Sequence, residues 1–174
     1  ANRGACRLSR NMSDYRANRM GPDITIRRAT SADADEIGRL LHDFNTEFSE
    51  PTPPAAVLAE RAGAFIEDGT LVFLLAGDGP DGIAQMRYLR SIWDGELSAY
   101  LEELYVVPAL RGRGIGRTLL ESAMETARAA GATHMDLNTG ETDTAARTLY
   151  ESVGFTNREG KEDGPSMLYY EREL

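Results

Sequence analysis

The sequence contains few of the residues that form disulfides, metal clusters or membrane spans. Cysteine occurs once in 174 residues, at Cys6, and histidine occurs twice, at His42 and His134. A lone cysteine excludes an internal disulfide and a multi-cysteine zinc site, and two distant histidines do not suggest a metal site. No apolar run approaches the length of about 18 residues that spans a membrane, and no apolar segment follows the basic N-terminus as in a signal peptide. We therefore expect a cytoplasmic protein with no bound metal and no membrane partner.

Acidic residues outnumber basic ones, and the excess is unevenly distributed along the chain. The formal net charge is -9, from 19 Lys and Arg against 28 Asp and Glu. Residues 1–22 hold five arginines and one aspartate, a balance of 5 − 1 = +4, which leaves 14 − 27 = −13 for residues 23–174. The basic segment lacks apolar periodicity, so we expect a disordered tail before a single domain. An acidic domain repels nucleic acid and attracts cationic molecules, although solubility alone also explains the charge.

Hydrophobic periodicity and turn residues predict one α/β (α+β) domain over residues 23–174. Short apolar runs bounded by Gly or Pro are typical of strands, and apolar residues at helical spacing, as at Ile37, Leu40 and Phe44, are typical of helices. The predicted order is β-α-α-β-β-β-α-β-α-β-β, a mixed and mostly antiparallel sheet of about seven strands with flanking helices. The strands are expected at about residues 24–29, 71–76, 83–90, 97–107, 134–138, 155–158 and 167–171.

A segment rich in glycine and arginine follows one predicted strand and precedes a helix. It reads Arg111-Gly112-Arg113-Gly114-Ile115-Gly116, with Arg117 directly after it. Glycines allow backbone N–H groups to converge on an anion, and the N-terminus of the next helix adds a positive dipole end. A turn that merely needs glycine would not explain the interleaved arginines. A Walker loop is excluded because the only lysine is Lys161, and the dinucleotide fingerprint fails because Leu119 replaces its third glycine. The segment predicts a diphosphate-binding loop.

Two motifs resemble those of the GNAT superfamily of N-acetyltransferases. The first is a strand ending Leu104-Tyr105-Val106-Val107-Pro108, followed by the signature Arg/Gln-x-x-Gly-x-Gly/Ala at residues 111–116. The second is the pattern Asn-x-x-Ala-x-x-Leu-Tyr before Gly-Phe, which Ala146, Leu149, Tyr150, Gly154 and Phe155 match. Asp143 replaces the Asn of that pattern, and an ionised acid accepts a hydrogen bond without donating one. The resemblance covers residues 24–174.

The resemblance implies acetyl-CoA as co-substrate, bound between two central strands. The strands at about 101–107 and 134–138 should splay apart, so that pantetheine pairs with backbone groups of the first strand as an added strand. The pyrophosphate should sit on the glycine-rich loop. The residues implied for cofactor binding are Leu104, Tyr105, Val106, Arg111, Gly112, Arg113, Gly114, Ile115, Gly116, Arg117, Thr118, Asn138, Asp143 and Arg147. For Asn138, a plain strand-end role is an equal alternative.

Three residues are candidates for the chemistry of acetyl transfer to an amine. A lysine-like amine has a pKa of about 10.4 and must lose a proton before it attacks. The resemblance assigns Tyr150 as proton donor to the leaving thiolate, with a core tyrosine as the alternative. Strand alternation places Glu102 and Glu103 on opposite faces, so one of them should face the acceptor and act as base. We prefer Glu102, whose position matches the acid of polyamine-acetylating relatives; an acidic entrance for a cationic substrate is the alternative. A main-chain N–H near Val106 is the expected oxyanion donor.

The sequence leaves three functions open, because no motif encodes the acceptor. The leading hypothesis is an N-acetyltransferase for a small cationic amine; the others are acetylation of a protein lysine or N-terminus, and a non-catalytic acyl-CoA sensor. Trp93, Tyr88 and Tyr100 are candidates for an acceptor pocket, with core or hairpin packing as the alternative. His42 lies on a helix expected to border that pocket, where a surface role is the more frequent one. Relatives in this family are often homodimers, so a second copy of the chain is a further candidate partner.

Overall fold

In the computed structural model, residues 24–78, 80–160 and 163–172 are described, and they form a five-stranded sheet with four α-helices. The strands are β1 (Ile26–Arg28), β2 (Val72–Ala76), β3 (Gly82–Arg90), β4 (Leu97–Val106) and β5 (Ala132–Leu137). The helices are α1 (Ala34–Glu47), α2 (Ala55–Glu67), α3 (Ile115–Ala129) and α4 (Thr144–Ser152), with 3-10 turns at Ser31–Asp33 and Pro108–Leu110. The tail predicted at residues 1–22 lies outside the described residues.

The strands lie in the sheet in the same order as in the chain. The neighbours from β1 to β4 pair antiparallel, whereas β5 pairs parallel to β4. A parallel neighbour requires the chain to cross back over the sheet, and α3 makes this crossing. The carboxyl ends of β4 and β5 therefore point to the same edge of the sheet, and α3 begins shortly after β4 ends there.

Helices cover both faces of the sheet, which buries its central strands on two sides. All five residues of β2 are buried, as the continuous apolar run Val72–Ala76 predicts. One face, called here the α3 face, packs side chains of α3 against alternate strand residues: Val72, Leu74, Met86, Leu101, Leu119, Leu120 and Ala123. The other, called here the α1–α2 face, packs the first two helices against the remaining ones: Ile37, Leu40, Ala62, Phe73, Leu75, Ile83 and Tyr105.

Helices α1 and α2 approach each other closely at Gly38. A Cβ atom at this position would lie 2.4 Å from the carbonyl oxygen of Ala55 and 2.7 Å from the amide nitrogen of Ala59. Backbone atoms cannot move away from such a contact cheaply, so glycine is what allows the two helices to cross here. His42 fixes the connection between them, because its Nδ1 lies 3.0 Å from the carbonyl oxygen of Pro53.

The two strands predicted at about 155–158 and 167–171 are not formed, so the predicted count of seven strands is wrong for the described residues. A single β-bridge joins Arg158 to Ser166, flanked by the backbone bonds Glu159 N–H to Pro165 O (3.0 Å) and Met167 N–H to Asn157 O (2.8 Å). Tyr169 and Tyr170 are exposed. Local β propensity did not produce a strand there because a strand needs a paired neighbour along its length.

Within the described part of the chain, no helix combines the length and the apolar character that a membrane crossing demands.

Candidate active site

Strand β5 ends before β4 does, so within the described chain the last part of β4 has no partner strand on the side where the resemblance places pantetheine. Their parallel register runs from Leu97 with Ala132 to Leu101 with Leu137 and stops there, while β4 continues to Val106. Among the described residues, no strand pairs with this side of β4 beyond Leu101. The space beside this unpaired part of β4 is called here the gap.

The backbone groups that face this gap belong to alternate residues. The Val107 N–H donates to the carbonyl oxygen of Asp81 at 3.0 Å, on the β3 side. Because N–H and C=O directions alternate along an antiparallel strand, Tyr105 also points its backbone groups towards β3, whereas Leu104 and Val106 point theirs towards the gap. The prediction that all three residues are unpaired is therefore wrong for Tyr105. Its ring packs in the α1–α2 core, and it is 4% exposed.

The glycine-rich loop presents free amide groups at the start of α3. Gly112 and Gly114 have φ values of 75° and 87°, in the left-handed region that favours glycine. Within the described chain, no carbonyl or side chain accepts from the amides of residues 112–117, and the Thr118 N–H donates to the carbonyl oxygen of Gly114 at 3.0 Å. Free amides at a helix N-terminus bind anions, so the loop has the donors that a diphosphate needs.

The side chain of Arg111 is directed to α1 and away from an anion at the loop. Its Nη1 and Nη2 lie 2.6 and 2.7 Å from the two carboxylate oxygens of Glu47, and its Nε donates to the Val106 carbonyl oxygen at 2.9 Å. Its guanidinium carbon also lies 5.5 Å from the centroid of the Tyr105 ring. Arg111 is predicted to bind the cofactor, but Glu47 neutralises its charge and holds its side chain against α1. Of the two backbone groups of Val106 that face the gap, only the N–H stays free.

The other basic residues predicted near the loop differ in their partners. Arg117 donates to the hydroxyl of Ser152 and lies 3.6 Å from Glu121, which links the start of α3 to the end of α4. Arg147 donates to the Glu141 carbonyl oxygen at 3.0 Å. Arg113 contacts only the carbonyl oxygen of Ala109, at 3.5 Å, and no carboxylate among the described residues. Arg113 is thus the loop arginine whose charge is available to a ligand.

Strand β4 carries a β-bulge at the two predicted base candidates. Gln85 of β3 pairs with Glu103, but its neighbour Met86 pairs with Leu101, so Glu102 is an inserted residue without an opposite partner. A bulge turns side chains away from their regular alternation and is frequent beside active sites.

The bulge places Glu102 and Glu103 on the same face of the sheet. Ile83 packs in the α1–α2 core, so Gln85, two residues further along β3, faces the same side. Glu103 lies opposite Gln85, and Glu102 Oε2 accepts a hydrogen bond from Gln85 Nε2 at 2.6 Å. The prediction that the two glutamates face opposite sides is wrong, because alternation fails at the inserted residue.

The two glutamates have different partners. Glu102 accepts from Gln85 and also lies 3.1 Å from Nη1 of Arg87, with its own side chain 18% exposed. Burial raises the pKa of Glu103 to about 7, and repulsion from Glu102 adds to the effect. Glu103 is therefore divided between its ionised and protonated forms near neutral pH, as a general base requires.

Tyr150 of α4 is the third predicted catalytic residue, and it lies within electrostatic reach of Glu103. Burial raises the pKa of Tyr150 to about 12, with smaller contributions from the negative charges of Asp143 and Glu103. Its ring meets that of Phe155 edge to face at 6.1 Å, against the α3-face core. The hydroxyl keeps its proton at neutral pH, so Tyr150 can donate a hydrogen bond.

Asp143 and Asn138 hold local structure on the α4 and β5 sides of the gap. Asp143 caps α4, because its Oδ1 accepts from the Ala146 N–H at 2.9 Å. Asn138 follows β5, and its Oδ1 accepts from the Tyr100 hydroxyl at 2.8 Å. The polar contacts of these two side chains are thus made within the protein.

The remaining candidates lie away from the gap or at its margin. Trp93 is 94% exposed at the β3–β4 turn. Tyr88 packs in the α3-face core, and its buried hydroxyl has no partner within the described chain. His134 lies on exposed β5, with Nε2 3.0 Å from Asp136. In the described residues, no three His, Cys, Asp or Glu side chains are grouped around a potential metal position.

Sequence reasoning missed three residues that contact the candidates. Gln85 and Arg87 alternate with apolar residues in β3, and this pattern could have placed both on one face. Glu47 is 64 residues from Arg111, and nothing local signals their pairing.

Comparisons with known proteins agree with these features. A family model described as "Acetyltransferase (GNAT) family" matches residues 37–155. This chain is also similar to a crystal structure from Arthrobacter sp. FB24 that is described as an acetyltransferase. The two sequences are 42% identical, the TM-score is 0.79, and the match covers 86% of this chain and 96% of that chain.

Two curated relatives are each 31% identical in sequence to the aligned part of this chain. Mycothiol acetyltransferase of Beutenbergia cavernae aligns with 75% of this chain and 44% of its own length. Aminoglycoside N(6')-acetyltransferase type 1 of Stenotrophomonas maltophilia aligns with 78% of this chain and 88% of its own length. The chain thus spans less than half the length of the mycothiol acetyltransferase.

Proposed function

Because the chain belongs to the acetyltransferase (GNAT) family, we propose that it transfers the acetyl group of acetyl-CoA to a small cationic amine, by direct attack in a ternary complex. The observation that carries the proposal is the unpaired end of β4, which carries Glu103 with its pKa of about 7 and the free amide of Val106, and which leads into the glycine-rich loop with its free amides. Acetyl-CoA supplies a thioester carbonyl that a neutral amine can attack.

The free backbone groups fit acetyl-CoA. The N–H and C=O of Leu104 and the N–H of Val106 face the gap, where they would pair with the amides of pantetheine. The amides of residues 112–117 would receive the pyrophosphate, with Arg113 as the charged side chain beside them. Thr118, Arg117 and Arg147 lie on the helices that flank this site.

Glu103 is the residue that we assign as general base, in place of Glu102. An attacking amine is mostly protonated at neutral pH, so it needs an acceptor for its proton. A carboxylate with a pKa of about 7 is partly ionised there and binds a proton more strongly than an ordinary glutamate does. Glu102 is engaged by Gln85 and Arg87, which favours a role in binding the acceptor.

Tyr150 and the Val106 amide act on the thioester side of the reaction. The Tyr150 hydroxyl holds its proton at neutral pH and donates to the sulfur as the thiolate leaves. The Val106 N–H faces the gap and is the donor for the carbonyl oxygen as it gains negative charge. A donor of this type, fixed by the sheet, needs no rearrangement during the reaction.

The acceptor is proposed to be small and cationic. The net charge of residues 23–174 is 14 − 27 = −13, and Glu102 and Glu103 share the α1–α2 face. Such a field attracts amines that are positively charged in solution. One relative acts, by its name, on an aminoglycoside, which agrees with this class of acceptor.

Release of free thiol from acetyl-CoA over a panel of amines tests the proposal. The panel contains a diamine, an aminoglycoside and a lysine-containing peptide, and a reaction without amine serves as the control. We expect release with the small cations to exceed the amine-free rate clearly. Release with the peptide alone would identify a protein acetyltransferase, and binding of acetyl-CoA without release on any amine would identify a sensor.

A further inference from the structure

A guanidinium of the protein itself occupies a cation-binding environment on the α1–α2 face. Arg87 of β3 places its guanidinium carbon 5.4 Å from the centroid of the Tyr100 ring. Its Nη1 lies 3.1 Å from Glu102 Oε1. An aromatic face and a carboxylate around one cation are the groups that recognise ammonium ions.

The two walls of this environment are held in place without the arginine. The Tyr100 hydroxyl donates to Asn138 Oδ1 at 2.8 Å, which fixes the ring from the β5 side. Glu102 Oε2 accepts from Gln85 Nε2 at 2.6 Å, which fixes the carboxylate from the β3 side. Removal of Arg87 would therefore leave an oriented ring and an oriented carboxylate.

The exposed fractions indicate which member of the group can leave. The side chain of Arg87 is 47% exposed, whereas that of Glu102 is 18% exposed. An exposed ion pair contributes little to stability, on the order of 1 kcal/mol or less, so another cation can displace the arginine at low cost.

The environment adjoins the proposed base. Glu102 immediately precedes Glu103 at the bulge, and the two carboxylates repel each other. Tyr100 lies opposite Arg87 and Glu103 lies opposite Gln85, two residues apart on β3, which corresponds to roughly 7 Å along the strand. A molecule with an amine at Glu103 could thus place a second cationic group between Tyr100 and Glu102.

We propose that Tyr100 and Glu102 form a subsite for a second ammonium group of the acceptor, which Arg87 occupies until a diamine displaces it. This rests on the proposed function, because the subsite belongs to the acceptor site of an N-acetyltransferase. The favoured substrates are linear diamines and related polyamines, in preference to monoamines of equal length.

The test compares 1,4-diaminobutane with 4-amino-1-butanol, which replaces one ammonium by a hydroxyl. The ratio of their kcat/KM values is measured by thiol release from acetyl-CoA, so that changes common to both amines cancel. The wild-type protein should prefer the diamine by about tenfold. Arg87→Met keeps the aliphatic stem and should raise the ratio several-fold, because the competing cation is gone. Glu102→Gln should reduce the ratio towards one.

A matched variant controls for net charge. Arg90→Met removes the same charge from the same strand, and its guanidinium contacts the Gly95 carbonyl oxygen at 3.3 Å. This variant should leave the ratio unchanged. If both amines are acetylated but neither Arg87→Met nor Glu102→Gln alters the ratio, the subsite is overturned and the proposed function stays intact. A lower ratio in Arg87→Met also overturns it, since Arg87 would then contact the acceptor directly. Absence of acetylation on every amine overturns both proposals.

Discussion

At the scale of single residues, Glu102 and Glu103 lie next to each other on β4 but have different surroundings. Gln85 and Arg87 hold Glu102, whereas burial raises the pKa of Glu103 to about 7. A carboxylate that is half protonated at neutral pH can take a proton from an amine and later release it. The assignment of Glu103 as base therefore follows from its environment, and it leads to a defined pH dependence.

Glu103→Gln should remove the acidic limb of the pH profile of kcat/KM. In the wild type, a base with a raised pKa is inactive while it is protonated, so the rate should rise with pH and level off above about 7. The control is Glu102→Gln, which removes a neighbouring negative charge and should move the limb to lower pH without abolishing it. If Glu103→Gln keeps the limb and Glu102→Gln loses it, the assignment must be reversed.

Tyr150→Phe should lower turnover about a hundredfold while the Kd of acetyl-CoA changes little. In the proposed mechanism the hydroxyl acts on the departing sulfur, whereas cofactor binding relies on the loop amides. Single-turnover kinetics and calorimetry measure the two quantities separately. Tyr88→Phe is the matched control, because the Tyr88 hydroxyl is buried among the described residues without a hydrogen-bond partner. Equal turnover in the two variants would exclude Tyr150 from the chemistry.

At the scale of elements, the site depends on where strands and helices end. The register of β4 with β5 stops at Leu101, and α3 begins at Ile115 after a loop with two left-handed glycines. The start of α4 is fixed by Asp143, whose carboxylate accepts from the Ala146 amide. Since α4 carries Tyr150, its cap influences the position of the proposed proton donor.

Asp143→Ala should lower the free energy of unfolding by about 1 kcal/mol, through the loss of the cap. Asp143→Asn should leave stability nearly unchanged, because asparagine caps helices equally well. Removal of the negative charge should also lower the pKa of Tyr150 in both variants, since Asp143 contributes to raising it. Chemical denaturation measures the first effect, and spectroscopic titration of tyrosine measures the second. An equal loss of stability in Asp143→Asn would contradict the capping role.

The elements also show what sequence could and could not predict. The glycine-rich loop was predictable because its backbone conformation requires glycine at Gly112 and Gly114. The bulge at Glu102 was not, since an inserted residue leaves local composition unchanged and only pairing with β3 reveals it. The Arg111–Glu47 pair joins residues far apart in the chain, so tertiary packing alone determines it. The prediction of the last two strands was wrong for the same reason, because local β propensity does not supply a neighbouring strand to pair with.

At the scale of the whole molecule, one edge of the sheet brings the components of the site together. Loop amides and Arg113 lie at the start of α3, the glutamates lie on the α1–α2 face, and Tyr150 packs against the α3-face core. Residues 23–174 carry an acidic balance of 14 − 27 = −13, so a loop that is to hold an anionic cofactor, as we propose, needs its own concentrated donors. The free backbone amides and the side chain of Arg113 are the donors that we propose for this role.

Calorimetric titration with coenzyme A, compared with pantetheine, tests this arrangement most directly. Pantetheine lacks the pyrophosphate, and by our proposal it would fill only the gap along β4. We predict that coenzyme A binds at least about tenfold more tightly than pantetheine. In Gly114→Ala this difference in affinity should be smaller, because alanine is strained at the φ of 87° that Gly114 adopts. Equal affinities for the two ligands, or no heat with coenzyme A, would contradict the account.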